Sequence, residues 1–382
     1  MAYGLECGWI SPTTQKLQSE SSPSGYPLSD GQITWIASCL SAAATCVVIM
    51  HSYIADIYGR KINIIIIACL QAVSWIIRIF CTSFTSLIIA RVCAGIAAGG
   101  CYNAVPMYIK EISRDDLRGI LCTFSMIFQT VGVFIMYCIG AYLSYYTVIY
   151  VAVVLPIVTM LGMIFAPESP EFLVKQGKID KAIETVAYVR GLDRDDATVQ
   201  TLVETMTKDA AYFESLPKLT ILSILKNKIW RHGYILIMIA FTFYEINGAF
   251  AIITYASIVI NSTGIDFEIS PDIQSLSIPV VMMIGSLTLA SCIERFGRKI
   301  RAKLMSLVVT YGWFLTAILL NIYMPLANAL GVHAPFIFYG FLNLGGALFT
   351  IFYLTETKGK TETQILQDLM RKKTDNEATC IE

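Results

Sequence analysis

Charged residues are scarce in this chain. Asp, Glu, Lys and Arg make up 15% of its 382 residues, whereas hydrophobic residues make up 55%, and the mean hydropathy is +0.63. A soluble domain of this size carries about a quarter charged residues. The apolar residues fall in runs of roughly 20, the length that an α-helix needs to cross a ~30 Å hydrocarbon layer. The sequence therefore predicts an all-α polytopic membrane protein.

Other features are also missing, and each absence argues against a class of function. The formal net charge is zero, so the chain lacks the basic surface that a nucleic-acid partner requires. There is no phosphate loop, nucleophile elbow or CxxC pair, and the three histidines are scattered, so we predict no enzyme activity, cofactor or metal. Most of the eleven cysteines lie in apolar runs, where they act as small hydrophobic residues. The first 30 residues do not resemble a cleaved signal peptide.

The distribution of basic residues predicts the topology. Alternate connecting segments contain no Lys or Arg, namely "CTSFTS", "AYLSYY", "NSTGIDFEISPD" and "ANALGVHAP". The remaining connections are basic and are therefore expected on the cytoplasmic side. Nine predicted spans, an odd number, then place the N-terminus outside and the C-terminus in the cytoplasm of a multi-pass plasma-membrane protein. The spans are predicted at 32–55, 61–82, 86–109, 120–142, 145–166, 231–258, 272–293, 301–323 and 333–354.

Composition divides the chain into five parts. The segment between the two groups of spans has helical spacing with one apolar stripe, which predicts short amphipathic helices on the cytoplasmic face. The predicted parts are an extracellular N-terminal stub at 1–31, an N-terminal transmembrane half at 32–166, a cytoplasmic linker at 167–230, a shortened C-terminal half at 231–354 and a cytoplasmic tail at 355–382.

A short charged motif occurs twice. "DIYGRK" begins at Asp56 and "ERFGRK" begins at Glu294. The first copy lies 112 residues before the acid of "PESP", Glu168, whereas the second lies 62 residues before the acid of "TETKGK", Glu356. Two related halves around a central site are typical of secondary transporters. The second half is 50 residues shorter, which corresponds to about two spans with tight loops.

The repeated motif predicts a cytoplasmic gate. An unpaired carboxylate at Asp56 would be costly, so we expect a cation from another connection, such as Arg118, to pair with it, while Gly59 permits the turn. A simpler alternative is that these charges only fix the topology. Gly95 and Gly99 predict a close helix contact. The predicted gate residues are Asp56, Gly59, Arg60, Lys61, Glu111, Arg118, Glu168, Glu294, Gly297, Arg298 and Glu356.

A polar group inside the spans predicts a substrate site. Glu245 lies within an apolar segment beside Tyr244 and Asn247, and Gln129 is the main polar candidate in the other half. An intramembrane carboxylate indicates function by default, although Glu245 could instead be a satisfied structural acid.

Asn261 begins a glycosylation sequon in a predicted outside loop.

These motifs together resemble the sugar porter family of the major facilitator superfamily, and the chain is most similar to insect trehalose-transporter-like and glucose-transporter-like members. The matching segments are "GWISP", "DIYGRK", "ERFGRK", "ARVCAGIAAGGCYNAVPMYIKEISRDDLRG", "PESPEFL" and "TETKGKT". The resemblance covers nearly all of the chain. It implies a two-half bundle, about nine of the family's twelve helices, and facilitated transport of trehalose or a hexose by alternating access.

The chain also departs from this family. Only the end of the first helix is recognisable, and after "RKIRAKLMSLVVTYG" the sequence continues as the family's eleventh helix, so the tenth is absent. Met126 replaces the fifth-helix glutamine, and Glu171 stands where the family has arginine. An alternative function follows from these departures: a truncated or incomplete gene product, or a family member that regulates and does not transport.

Overall fold

The chain forms a bundle of helices. The structure, a computed structural model, describes residues 1–114, 117–215, 228–245, 248–262, 271–284, 302–331 and 333–353, and none of these forms a strand. The helices are α1 (Ala2–Gly8), α2 (Ile10–Gln18), α3 (Asp30–Tyr58), α4 (Arg60–Phe80), α5 (Phe84–Ile112), α6 (Arg118–Tyr142), α7 (Tyr145–Phe165), α8 (Pro170–Lys175), α9 (Ile179–Arg190), α10 (Ala197–Ser215), α11 (Lys228–Glu245), α12 (Ala249–Ser262), α13 (Pro271–Gln274), α14 (Ala302–Leu330) and α15 (His333–Tyr353).

The predicted spans of the first half fall on helices α3 to α7. Three of these helices begin after a serine whose hydroxyl accepts a backbone N–H of the first turn, which satisfies an otherwise unpaired donor. These serines are Ser29, Ser83 and Ser144. Among the described helices, six are long and apolar enough to cross a membrane: α3 to α7 and residues 309–330 of α14. The total of nine spans stays a prediction.

Residues 1–31 contain more structure than a stub would. Helices α1 and α2 pack inside the bundle, and the Trp9 side chain between them is fully buried. Helix α1 crosses α6 where both carry glycine, since a Cβ on Gly132 would lie 2.3 Å from the carbonyl oxygen of Met1 and one on Gly4 would lie 2.0 Å from that of Gln129. Which side of the membrane this segment faces stays a prediction.

Glycines also allow α5 to approach α3, as predicted. A Cβ on Gly95 would lie 2.2 Å from the carbonyl oxygen of Leu40, and one on Gly99 would lie 2.8 Å from that of Ala44. Next along α5, the ring of His51 occupies the space beside Gly100. The small residues of "GIAAGG" therefore serve close helix packing.

The two halves pack against each other over long helix contacts. Helix α14 of the second half lies along α3, and α12 lies against α2. The hydroxyl oxygens of Ser11 and Ser257 are 3.0 Å apart across the α2–α12 contact. Within the second half, the rings of Tyr255 and Tyr323 stack with centroids 4.8 Å apart. One apolar cluster runs through both halves.

The predicted span at 231–258 is not one continuous helix, which corrects the prediction. Helix α11 ends at Glu245 and α12 begins at Ala249. Gly248 has a φ of +83°, and the ring of Tyr339 occupies the place where a Cβ would lie, 2.5 Å away. Only glycine fits both the backbone conformation and the ring contact.

The linker between the halves folds on its own small core. Helices α9 and α10 are the two predicted amphipathic helices, and their apolar stripes pack together with α8. The buried residues of this core are Leu173, Val174, Ala182, Val186, Ala187, Val199 and Val203.

Candidate functional site

A buried ion pair lies at the cytoplasmic end predicted for the first half. The Arg60 Nη2 donates a hydrogen bond of 2.8 Å to Glu111 Oε1, and its Nε lies 2.8 Å from Glu111 Oε2. Ser169 also donates to Glu111, while Arg60 Nη1 donates to the carbonyl of Ala55 at 2.9 Å. Both charged side chains are buried, so each depends on the other to offset its desolvation.

Glu168 caps the helix that begins with this arginine. Its Oε1 accepts the backbone N–H groups of Arg60 at 3.0 Å and Lys61 at 3.1 Å, where the positive end of the α4 dipole favours a carboxylate. Gly59 has a φ of +100°, and a Cβ there would lie 2.2 Å from Glu168 Oε2. The motif needs glycine for both reasons. The first copy of the motif, "DIYGRK", thus places Arg60 in contact with both Glu111 and Glu168.

Asp56 has different partners from the one predicted. Its Oδ1 lies 3.7 Å from Arg60 Nη1 and 3.6 Å from Lys175 Nζ, so the expected pairing with Arg118 is wrong. Arg118 begins α6 beyond the turn that follows α5, and its Nε donates to the carbonyl of Lys110 at 3.0 Å. The remaining predicted gate residues lie outside the described residues: Glu294, Gly297, Arg298 and Glu356.

Glu171 adds a further acid beside Glu111 in this cytoplasmic group. The Glu171 side chain is exposed, but desolvation by nearby groups and then the Glu111 carboxylate raise its pKa above the usual range, against the attraction of Lys110, Arg118 and Arg60. An arginine at this position would instead be attracted to Glu111. The like charge weakens the cluster that Arg60 and Glu111 form.

A small cavity lies between the two halves. Its lining includes Tyr3, Ser41 and Arg91 from the first half and Thr254 and Trp313 from the second. The cavity volume is about 20 Å³, and one water molecule needs ~10–15 Å³ on this scale. The space that it offers between the halves is therefore about that of one water molecule.

Aromatic rings form one wall of this region. The Trp313 ring makes edge contacts with Tyr3 at 6.1 Å and Tyr102 at 5.7 Å between centroids, and it lies 6.2 Å from Phe250. Gln129 exchanges hydrogen bonds with the Tyr102 hydroxyl at 2.8 and 3.0 Å. The predicted site residue Gln129 thus reaches the cavity region through Tyr102, a residue that the sequence did not indicate.

The other predicted site residues are dispersed. Glu245 Oε2 accepts a hydrogen bond of 2.9 Å from Thr316, and both residues lie in the second half. Gln129 and Glu245 therefore have separate partners. Tyr244 lies in α11, but its side chain is not described, and Asn247 lies outside the described residues. Asn261 lies near the end of α12, and its glycosylation stays a prediction.

Sequence interpretation missed a buried charge cluster in the first half. Glu6, Arg78 and Arg91 come from three helices and meet beside Trp9 and Trp75. In the sequence, each of these three residues is a charged residue within an apolar run, which is the signal that indicates a buried charge. Glu6 was not predicted to be buried because residues 1–31 were predicted to form an extracellular stub outside the bundle.

Two packed groups of helices lie around a small polar and aromatic cavity, an arrangement that is typical of secondary transporters. The sequence model described as "Sugar (and other) transporter" matches residues 1–300. The chain therefore belongs to the Sugar (and other) transporter family. The match ends just before α14.

The curated relatives are longer than this chain. The chain is 21% identical over 440 residues to the facilitated trehalose transporter Tret1 of Aedes aegypti, covering 97% of this chain and 53% of the relative. It is 28% identical over 270 residues to the plastidic glucose transporter 4 of Arabidopsis thaliana, covering 69% and 48%. The chain thus spans about half the length of these relatives. Because the first alignment is longer than the chain's 382 residues, part of the relative has no counterpart here.

Solved structures show the same fold. The proton:xylose symporter XylE bound to 6-bromo-6-deoxy-D-glucose matches with a TM-score of 0.74 at 17% identity, covering 97% of this chain and 96% of that one. A partially occluded inward-open conformation of XylE from E. coli matches with a TM-score of 0.71, covering 94% and 97%. The chain therefore shares the fold of these structures, a bundle of two helical halves.

Proposed function

We propose that this chain carries a sugar, trehalose or a hexose, across the membrane by alternating access and without covalent chemistry. One observation carries the proposal: a small polar and aromatic cavity lies between two helical halves that meet through apolar packing and neutral hydrogen bonds. Membership of the sugar transporter family supports the substrate class. The named substrates of the relatives supply the two candidates.

The substrate would bind at the aromatic wall of the cavity. The edges and faces of Tyr3, Tyr102 and Trp313 offer the apolar surface that the C–H groups of a sugar ring require, as is usual for small-molecule sites. Gln129 orients the Tyr102 hydroxyl, and Ser41 and Thr254 supply further hydroxyl groups. This set replaces the predicted group around Glu245 as the centre of the site. Glu245 would act from the edge, through Thr316.

Entry of a sugar requires the halves to separate on one side. The cavity as described has room for about one water molecule. Among the contacts across the halves that would have to break are the Ser11–Ser257 hydroxyl pair, the bond from the Ser257 backbone N–H to Ser11 Oγ, and the bond that the Tyr137 hydroxyl donates to the carbonyl of Ile253. These are neutral hydrogen bonds, each worth roughly 0.5–1.5 kcal/mol net. The apolar cluster that runs through both halves adds to the free energy required for opening.

The second candidate function is a family member that does not transport. It is favoured by the 50-residue deficit between the two copies of the motif, and the chain spans about half the length of the two relatives named above. A shortened second half would leave polar groups of the cavity facing lipid, where unsatisfied groups are costly.

Uptake by oocytes that express the 382 residues distinguishes the two functions. Radiolabelled trehalose and glucose are supplied separately, and surface expression is measured in the same cells. The transport proposal predicts saturable uptake above that of control oocytes. It also predicts that Trp313→Ala lowers uptake more than tenfold, while Trp35→Ala, a change at an exposed tryptophan, leaves it within twofold.

Each remaining outcome has a distinct meaning. Normal surface expression without uptake would contradict transport and favour the regulatory function. Failure to reach the surface would indicate a fragment. Uptake that Trp313→Ala leaves unchanged would retain transport but refute the proposed position of the site.

A further inference from the structure

The buried charge cluster of the first half contains two cations and one anion. Glu6 Oε2 lies 2.8 Å from Arg78 Nη2 and 3.6 Å from Arg91 Nη1, and its Oε1 accepts a hydrogen bond of 3.1 Å from Ser74. The three charged side chains are at most 4% exposed. They come from α1, α4 and α5, so the cluster ties three helices together.

The positive charge in this cluster exceeds the negative charge by one. Among the described residues, Glu6 is the only carboxylate within 4 Å of either guanidinium. Arg91 is further held by the carbonyl oxygens of Ile36 at 3.1 Å and Glu6 at 2.9 Å, and these carry only partial negative charge. An uncompensated charge away from water is unfavourable inside a protein and more so in a membrane. The cluster is therefore one negative charge short.

Several buried hydrogen-bond donors in the same place have no acceptor in the part of the chain that the structure describes. The Arg78 guanidinium lies between two indole rings, 4.3 Å from the centroids of both Trp9 and Trp75. Its Nε and Nη1 atoms lack a hydrogen-bond partner there, as do the Nε1 atoms of the two tryptophans. Buried polar groups are paired in the great majority of cases, so four such donors on three touching side chains indicate a missing acceptor.

We propose that Glu6, Arg78, Arg91, Trp9 and Trp75 form a binding site for a small monovalent anion of the halide class. Such an ion supplies both missing elements, since it adds one negative charge and accepts N–H hydrogen bonds. A halide accepts from any direction, which suits donors on three separate side chains. A carboxylate prefers the planar edge of an arginine, and at Arg78 the Nη2 atom is already bound to Glu6 and Ser74.

A buried water molecule, or the indole rings by themselves, would make the cluster behave differently. A water molecule would accept hydrogen bonds but would leave the charge excess unchanged. The faces of the two indole rings would attract the guanidinium by a cation–π interaction without any further ion. Neither arrangement produces a saturable response to halide, and this difference defines the test.

Tryptophan fluorescence of the purified full-length chain in detergent tests the proposal. Iodide quenches tryptophan emission and is added at constant ionic strength against sodium sulfate. Exposed tryptophans such as Trp35 give unsaturable collisional quenching, whereas an iodide ion bound beside Trp9, Trp75 and the guanidinium between them adds a saturable phase. Bromide and chloride are expected to displace it. Competition by acetate separately tests whether the site also accepts carboxylates.

Two variants and a control make the result specific. Arg78→Gln removes the charge excess and is expected to abolish the saturable phase. Glu6→Gln removes the competing carboxylate and is expected to tighten iodide binding by about tenfold or more, because the anion then faces both arginines alone. Arg194→Gln, a change at an exposed arginine of the linker, should leave both phases unchanged.

Specified results would overturn the proposal. Purely collisional quenching of the wild-type chain would show that the cluster holds no halide. If Arg78→Gln yields no folded protein, the Glu6→Gln variant decides: weaker iodide binding than wild type would mean that the carboxylate supports a purely structural network. Complete displacement by acetate at concentrations below those of chloride would reassign the site to carboxylates.

Discussion

Arg60 and Glu111 meet in a buried ion pair, and each side chain would be left with an uncompensated charge or acceptor if the other were removed. Glu111→Ala is therefore expected to destabilise the chain by about 3–5 kcal/mol. The measurement is thermal unfolding of the detergent-purified protein, followed by helical circular dichroism, together with surface expression in cells.

The exposed pair beside it provides the matched control. Lys175 lies 3.6 Å from Asp56 at the surface, so Lys175→Gln is expected to change stability by at most ~1 kcal/mol. Equal losses of stability from the two substitutions would show that the buried Arg60–Glu111 pair stabilises the chain no more than the exposed Lys175–Asp56 pair does.

Glu171 makes the stability of the cytoplasmic cluster depend on pH. Because its pKa in the folded chain is raised, protonation favours the folded state, and this contribution is lost as pH rises from the ordinary carboxyl range through the raised pKa. Glu171→Gln is expected to remove that decrease and to be at least as stable as wild type at pH 7. Unfolding temperatures at several pH values between 4 and 8, taken for both proteins, measure this; parallel curves would contradict it.

Individual residues differ in how well the sequence predicted them. The glycine and cations of "DIYGRK" were identified because the motif is local and occurs twice. The partners of Arg60 and Asp56 were not predicted, because ion pairs between helices depend on tertiary packing, which the spacing of residues in the sequence does not reveal. Glu6 was missed for another reason: its apolar run is broken by Ser, Pro and Thr, and it therefore did not appear to be part of the bundle.

The contact between α3 and α5 depends on glycine. A methyl group on Gly95 would lie 2.2 Å from the carbonyl oxygen of Leu40, so Gly95→Ala must push the helices apart. We expect it to lower stability by about 1–3 kcal/mol, the usual cost of overpacking. Gly162→Ala in α7 is the control, because no described atom lies within 4 Å of its Cβ position, and it should be neutral or slightly stabilising. Unfolding temperatures that fall equally in both variants would refute the close contact.

Helices that begin after a capping serine could be predicted from the sequence. Interruptions of a helix that depend on tertiary contacts could not. The serines before α3, α5 and α7 mark helix starts, and the long apolar runs that follow fix the type of element. The division between α11 and α12 occurs inside an apolar run. It depends in part on the ring of Tyr339, nearly 100 residues away, against Gly248. Sequence spacing contains no information about that ring.

At the scale of the whole molecule, two unequal groups of helices share one core. The first group contains the buried ion pairs. The second group contributes Phe250, Thr254 and Trp313, from α12 and α14, to the cavity wall. The sequence predicted the two halves and the shorter second half from the repeated motif. It did not predict that the aromatic wall, and not the group around Glu245, would line the cavity, because Tyr3 belongs to the segment assigned outside.

The most direct test of transport by these two halves is counterflow in proteoliposomes that contain only this chain. Vesicles are loaded with unlabelled glucose or trehalose and diluted into a trace of the same labelled sugar. A site that opens alternately to each side predicts a transient accumulation of label above its equilibrium level, greatly reduced in Trp313→Ala. A slow approach to equilibrium that matches vesicles without protein would contradict alternating access by this chain.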